Sequence, residues 1–180
     1  MKRIIGFLLC VILVMGAYAQ SDGGEIATET IGKKYDLRPE FTARATAQFF
    51  QMDYTVSGGV NVNNKNTYGL MLGYKEIYDD ATPADIYAIT SSFYYRHYFH
   101  LGKRKVCAFY VDANVGAGWV YKVKGYEHGE DRLAKQGDCA LILSIEPGFR
   151  VRLYKNIHIF LGPTASLGFG NFGLHFGIGF

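Results

Sequence analysis

The last ten residues constrain this chain more than any others. From Asn171 to Phe180, the residues Phe172, Leu174, Phe176, Ile178 and Phe180 alternate with Gly173, His175, Gly177 and Gly179. A period of two places successive side chains on opposite faces of a β-strand. One face therefore carries large apolar groups, and the other carries little besides glycine and one imidazole. A strand of a soluble sandwich turns a polar face to water. Here the face opposite the aromatics is nearly bare, which suits a strand backing onto a narrow, crowded bore.

The same period recurs upstream. Phe41, Ala43, Ala45, Ala47 and Phe49 alternate with Thr42, Arg44, Thr46 and Gln48. Tyr54 to Asn63 is a second candidate strand, although Gly58-Gly59 reads equally as a loop. After a turn at Asn63 to Asn66, Thr67 to Tyr78 sets Tyr68, Leu70, Leu72 and Tyr74 against Gly69, Met71, Gly73 and Lys75. Ile86 to Leu101, Val106 to Lys122, Asp138 to Leu153 and Ile157 to Phe169 follow the same pattern. With the closing segment this predicts eight strands. Short connections (Gly102 to Lys105, Tyr154 to Asn156) alternate with longer ones (Asp79 to Asp85, Val123 to Gly137), as in transmembrane barrels.

Glycines within the strands, among them Gly69, Gly73, Gly116, Gly118, Gly148, Gly162 and Gly177, fall on the polar face. The bore of an eight-strand barrel is just wide enough for side chains to fill. Each inward Tyr or Arg then needs a neighbour without a side chain. A soluble lipocalin-like barrel is the rival architecture, with apolar faces inward around a ligand and charges outward. Periodicity defines two faces but not which is inside. Closed strands are one of two ways to satisfy the backbone in lipid, and charges set mid-strand beside glycines favour the membrane.

The closing strand, ending on Phe180, resembles that of small bacterial outer-membrane β-barrels, the OmpX-like and OmpA-like eight-stranded group. The resemblance is specific in that stretch and generic over the rest. It implies an all-β, eight-stranded antiparallel up-and-down transmembrane barrel over residues 41–180, with short periplasmic turns and longer outer loops. It also implies an assembly signal in Phe176, Ile178 and Phe180, read by the outer-membrane assembly machinery. Its surroundings would be the outer-membrane lipid of a Gram-negative bacterium.

The amino-terminal segment fits that destination. Lys2 and Arg3 precede an apolar run from Ile4 to Met15, and Ala17-Tyr18-Ala19 supplies a small-x-small site. The run is shorter than the about 20 residues a bilayer-spanning helix needs. Residues 1–19 are thus expected to be a signal peptide cleaved after Ala19, and residues 20–40 a polar periplasmic lead-in. Without Lys2 and Arg3, 17 of the 19 basic residues remain against 16 acidic ones, close to neutral. That is no footprint for nucleic acid. Cys107 and Cys139 fall at opposite ends of adjacent strands, too far apart for a disulfide.

Little in the chain spells catalysis. Gly168, Gly170 and Gly173 match the spacing of a dinucleotide-binding loop, but that motif needs a following helix and only seven alternating residues remain. Glu127, His128, Glu130 and Asp131 have metal-capable side chains, and a solvated loop tip is the simpler reading. His97 shares a face with Tyr95 and Phe99. Some outer-membrane barrels that modify lipid A use His with Ser, but Ser91 and Ser92 make no close pattern with it. The expectation is no enzyme, no cofactor and no metal.

The inward polar set is more informative. Arg96, Asp112, Glu146 and His175 fall at similar heights, with Arg44 and Arg150 slightly lower. Buried charges are tolerated when paired, so Arg96 is expected to meet Asp112, and Arg150 to meet Glu146, as a plug across the bore. The expected role is structural or surface-interactive, with a largely closed bore and an unspecified partner of the outer loops. A lipid A-modifying enzyme and a narrow channel gated through His175 are the alternatives.

Overall fold

Ten strands follow one another in the computed structural model, which describes residues 28–30, 33–48, 51–79, 84–102, 105–124, 135–168 and 172–180. Strands β1 (Thr28–Thr30) and β2 (Lys33–Tyr35) form a small antiparallel hairpin of their own. The remaining eight are β3 (Leu37–Gln48), β4 (Gln51–Val62), β5 (Asn66–Asp79), β6 (Ala84–Leu101), β7 (Cys107–Lys124), β8 (Cys139–Tyr154), β9 (Ile157–Leu167) and β10 (Phe172–Gly179). Each pairs antiparallel with its neighbours in sequence, and β10 pairs back onto β3, closing the barrel. The proposed signal peptide, residues 1–19, lies outside the described residues.

The register sets the stagger of the barrel. From Phe176, the ladder runs one way through Ala45, Tyr54 and Tyr74 to Ile89 on β6. The other way it runs through Leu161, Phe149 and Phe109 to Phe99, also on β6. Those two arrivals lie ten residues apart on one strand. The strands are thus tilted, and residues distant in sequence are brought level across the bore.

The faces separate as a membrane barrel requires. Phe93 is 68% exposed on the outer surface, in the company of Leu70, Leu72, Ile145, Leu174 and Phe176, whereas Arg96 and Asp112 are 0% exposed inside. A soluble ligand-binding barrel would be the reverse. Gly58 and Gly59 continue β4 rather than forming a loop, pairing with Leu70 and Gly69.

Two boundaries differ from the sequence reading. Strand β3 begins at Leu37, before residue 41, so Arg38, Pro39 and Glu40 belong to the wall. Pro39 is tolerated because β10 reaches only as far as Thr42, with Phe180 pairing to Phe41, leaving Pro39 at an edge. Strand β5 runs on to Asp79 and β6 begins at Ala84, so both ends of the expected loop 79–85 are strand, with Tyr78 opposite Asp85 and Asp79 opposite Ala84. Burial of Ile86, Ala88 and Val120, against Ile77 and Val123, holds this extension together.

The asymmetry of the connections is carried by residues 125–138, between β7 and β8; those at the opposite end are all short. One of the short ones is the turn at Asn63 and Asn64, which have φ of 54° and 56°. Both central residues of this hairpin loop need positive φ, which Asn accepts more readily than most side chains.

Candidate functional site in the bore

Alternation delivers the even-numbered residues of β3, β6, β7, β8 and β9, and the odd-numbered ones of β4, β5 and β10, to the interior. Arg96, Asp112 and Glu146 are direct register partners on β6, β7 and β8. Arg96 donates from Nε and Nη2 to the two carboxylate oxygens of Asp112 at 2.6 and 2.7 Å. Its Nη1 reaches across the bore to Glu40 Oε1 at 2.6 Å. From the opposite wall, Arg44 Nη1 donates to Asp112 Oδ2 at 3.0 Å and to Glu146 Oε2 at 2.6 Å. The result is one unbroken chain of alternating charge: Glu40, Arg96, Asp112, Arg44, Glu146.

Neutral donors complete it. Tyr98 Oη donates to Glu40 Oε1 at 2.6 Å, and Asn61 Nδ2 and Thr67 Oγ1 donate to Glu40 Oε2 at 3.2 and 3.0 Å. Asn114 Nδ2 and Ser144 Oγ donate to Glu146 Oε1 at 2.9 and 3.1 Å. Such donors are what a carboxylate removed from water requires. A second pair, Lys75 with Asp53 at 3.1 Å, stands closer to the end bearing residues 125–138.

On the other side of the charge chain lies an aromatic layer. The Arg96 guanidinium carbon is 4.7 to 5.9 Å from the ring centroids of Phe160, Tyr110, Tyr94 and Tyr98. Tyr98, Tyr110, Phe160 and Ala108 pack into one buried cluster. A guanidinium over aromatic faces gains attraction that strengthens when water is excluded. Glycines make the room: a Cβ on Gly148 would stand 2.7 Å from Cζ and Oη of Tyr110.

The expected site residues are therefore partly brought together. Arg96 meets Asp112. Arg150 does not meet Glu146, which is taken by Arg44. The Arg150 guanidinium lies 3.9 Å from the centre of the Tyr98 ring instead. The reason is register: Arg150 is opposite Ala108 and Phe160, beside the aromatic layer and four residues along β8 from Glu146. His175 is buried and hydrogen-bonded through Nε2 to the Tyr110 hydroxyl, beside the charge chain rather than in it. Phe176 and Ile178 face outward on β10, and Phe180 pairs with the Phe41 backbone at 2.9 and 3.2 Å.

Sequence reasoning missed Glu40, placed in the polar lead-in, and Asp53 with Lys75. Glu40 was recoverable, since it precedes Thr42 and Arg44 on the same period-two face. His97 lies on the outer wall, with Nδ1 2.7 Å from Asn66 Oδ1. Ser91 is six residues away along the same face, about 20 Å, and Ser92 points inward. The cluster Glu127, His128, Glu130 and Asp131 lies outside the described residues, and no group of metal-ligating side chains forms among the described ones.

Above the charge chain, toward the end bearing residues 125–138, the bore holds a small cavity of about 50 Å³. Arg44, Asn114 and Glu146 lie deep in it, Asp53 and Lys75 stand on one wall, and Thr46, Thr55, Thr90, Ser92, Ser144, Thr164 and Ser166 contribute hydroxyls.

An apolar exterior, a closed antiparallel ladder and an ionic interior define an eight-stranded membrane β-barrel. Solved structures of outer-membrane barrels share the architecture. The amino-terminal β-barrel domain of Pseudomonas aeruginosa OprF is 16% identical, with 78% of this chain and 93% of that one covered and a TM-score of 0.52. Neisserial surface protein A is 13% identical, with 81% and 94% covered and a TM-score of 0.49. The outer membrane enzyme PagL is 12% identical, with 78% and 97% covered and a TM-score of 0.47. At 16% identity, the likeness to the OprF domain shows the fold alone. No protein-family profile and no curated protein sequence matches the chain.

Proposed function

We propose that this protein is an integral barrel of a Gram-negative outer membrane, with a structural or surface-presenting role and a bore closed to steady ion flow. Outer-membrane lipid is the partner of its apolar belt, and residues 125–138 are presented at the cell exterior. The observation that carries the closed bore is the five-membered charge chain spanning the interior, in which Arg96 and Asp112 are fully buried. Every charge in it has a partner of opposite sign, and the aromatic layer stands behind it.

The alternatives have less to stand on. A hydrolytic site needs its nucleophile and base within hydrogen-bond reach, and His97 and Ser91 are separated by about 20 Å of strand. A channel needs an aqueous path past Arg96, which four rings surround. The test is single-channel recording of the purified, folded protein in a planar bilayer. Absence of steady conductance is expected; a persistent porin-like current overturns the closed bore. Fractionation, with a boiling-dependent shift on a gel, checks the membrane and the folded barrel separately.

A further inference from the structure

The two ends of the barrel differ in charge. Around the end bearing residues 125–138, the outer Lys122, Lys124 and Lys135 are matched in number by Glu76, Asp85 and Asp138. At the opposite end Lys65, Lys105, Arg152 and Lys155 are all exposed. Among the described side chains there, Asp36 is engaged by Arg38 at 2.9 Å, and Glu40 belongs to the buried charge chain. Even with a carboxylate on Phe180, the balance at this end stays positive. The turns that carry these cations adjoin one another. Lys105 follows β6 and Lys155 follows β8, and Arg152 N donates to Val106 O at 2.8 Å between them. The Lys65 carbonyl oxygen accepts from Tyr98 N on β6 at 2.7 Å.

Their height matches the edge of the lipid-facing belt. Leu101 precedes one turn, and Leu153 and Tyr154 another; they are 50%, 60% and 62% exposed. Lys155 Nζ lies 5.4 Å from the centre of the Tyr154 ring, which holds the ammonium beside the outer wall. Next to Lys65, Tyr95 Oη donates to Asn66 Oδ1 at 2.9 Å. Tyrosines on a membrane barrel mark the level of the lipid headgroups, so the cations stand where hydrocarbon gives way to phosphate. Backbone preference does not account for them. Lys105 and Lys155 have φ of 50° and 42°, a region that Asn accepts more readily and that Asn63 and Asn64 fill in the turn beside Lys65.

We infer that this end of the barrel is a binding surface for the phosphate headgroups of anionic phospholipids. Lys65, Lys105, Arg152 and Lys155 supply the charge, and the exposed Leu101, Leu153 and Tyr154 receive the adjoining acyl chains. Basic side chains at an anionic membrane surface each add an attraction that fades within a Debye length. The leaflet concerned, the periplasmic one, rests on the orientation proposed above; the binding itself does not.

The test uses the full chain folded into phosphatidylcholine vesicles at low ionic strength, with a fluorophore on one cysteine at a time. Cys107 lies two residues from Lys105, and Cys139 lies at the other end; Cys10 and the unused cysteine are changed to serine. A minor share of the lipid is phosphatidylglycerol or phosphatidylcholine bearing a nitroxide near the head of one chain. Labelled phosphatidylglycerol is expected to quench Cys107 about threefold more than labelled phosphatidylcholine, with no preference at Cys139. High salt and the pair Lys105→Gln with Lys155→Gln each remove the preference. Lys122→Gln with Lys124→Gln, at the other end, leaves it unchanged. Equal quenching of Cys107 by the two lipids overturns the surface. So does the same preference at both ends, or one that survives the loss of Lys105 and Lys155. Retention on cell-wall sacculi without a lipid preference assigns the cations to the wall and overturns it too. Both lipids occupy both leaflets of the vesicles, so the outcome is independent of orientation in the cell, which thiol labelling of intact cells reads separately.

Discussion

Arg96 and Asp112 stand directly opposite each other on β6 and β7, and join by two parallel hydrogen bonds of 2.6 and 2.7 Å with both side chains fully buried. A two-pronged arginine–carboxylate contact adds geometric specificity to charge. Asp112→Ala leaves Arg96 with Glu40 alone and Arg44 with Glu146 alone. The expected loss is about 3–5 kcal/mol, read as the urea unfolding midpoint in lipid vesicles. Combining it with Arg96→Met is expected to cost less than the sum of the single changes, since the pair is removed together. Strict additivity would show that the pairing has no energetic weight.

Glu146 is the end of the charge chain that borders the cavity, and its side chain is 13% exposed. Glu146→Ala is expected to lower stability by less than Asp112→Ala, because water entering from the cavity solvates the freed Arg44. It is also the change expected to admit intermittent current in a planar bilayer. Glu127→Ala, in the connection between β7 and β8, is expected to do neither.

Arg150 and Arg44 are both buried in the bore, yet their environments differ. Arg44 binds two carboxylates, and Arg150 stacks on Tyr98. Arg150→Met is expected to cost about 2 kcal/mol or less, the scale of a desolvated cation–π contact. Arg44→Met leaves Glu146 without its cation and Asp112 with Arg96 alone, and is expected to cost about 3–5 kcal/mol. Equal losses in chemical unfolding would contradict this division of roles.

Gly148 lies against the Tyr110 ring, where a Cβ would also meet the Leu161 carbonyl oxygen at 2.7 Å. Gly148→Ala overpacks the aromatic layer and is expected to cost about 1–3 kcal/mol. Ala113→Val, outward on the neighbouring strand, is expected to stay within about 0.5 kcal/mol. Thermal gel-shift midpoints of the two variants compare them directly.

Cys107 and Cys139 are both free, and Cys139 is opposite Trp119, twelve residues along β7 from Cys107. That is about 40 Å. A membrane-impermeant maleimide is expected to label Cys139 on intact cells, and to reach Cys107 only after the outer membrane is opened. The reverse pattern would invert the barrel in the membrane.

Much of this architecture was legible residue by residue. Alternation of Phe172, Leu174 and Phe176 with glycine and His175 names two faces, because side chains on a strand have a period of two whatever surrounds them. Gly69, Gly148 and Gly177 on the polar face announced a crowded interior for the same local reason. Strand ends were harder. Pro39 reads as a break, and becomes acceptable only because β10 stops short of it.

Partner choice across the bore was a different matter. Arg96 with Asp112 follows from adjacent strands, and hairpin register is a short-range property. Arg44 meets Asp112 and Glu146 across 68 and 102 residues of sequence, and Glu40 meets Arg96 across 56. These contacts exist because closure staggers the strands by ten residues, tilting them until positions unrelated in sequence stand level. Sequence periodicity by itself determined which side chains share a face. Only the closed barrel decided which charges touch, because a stagger is a property of all eight strands at once and of no strand alone.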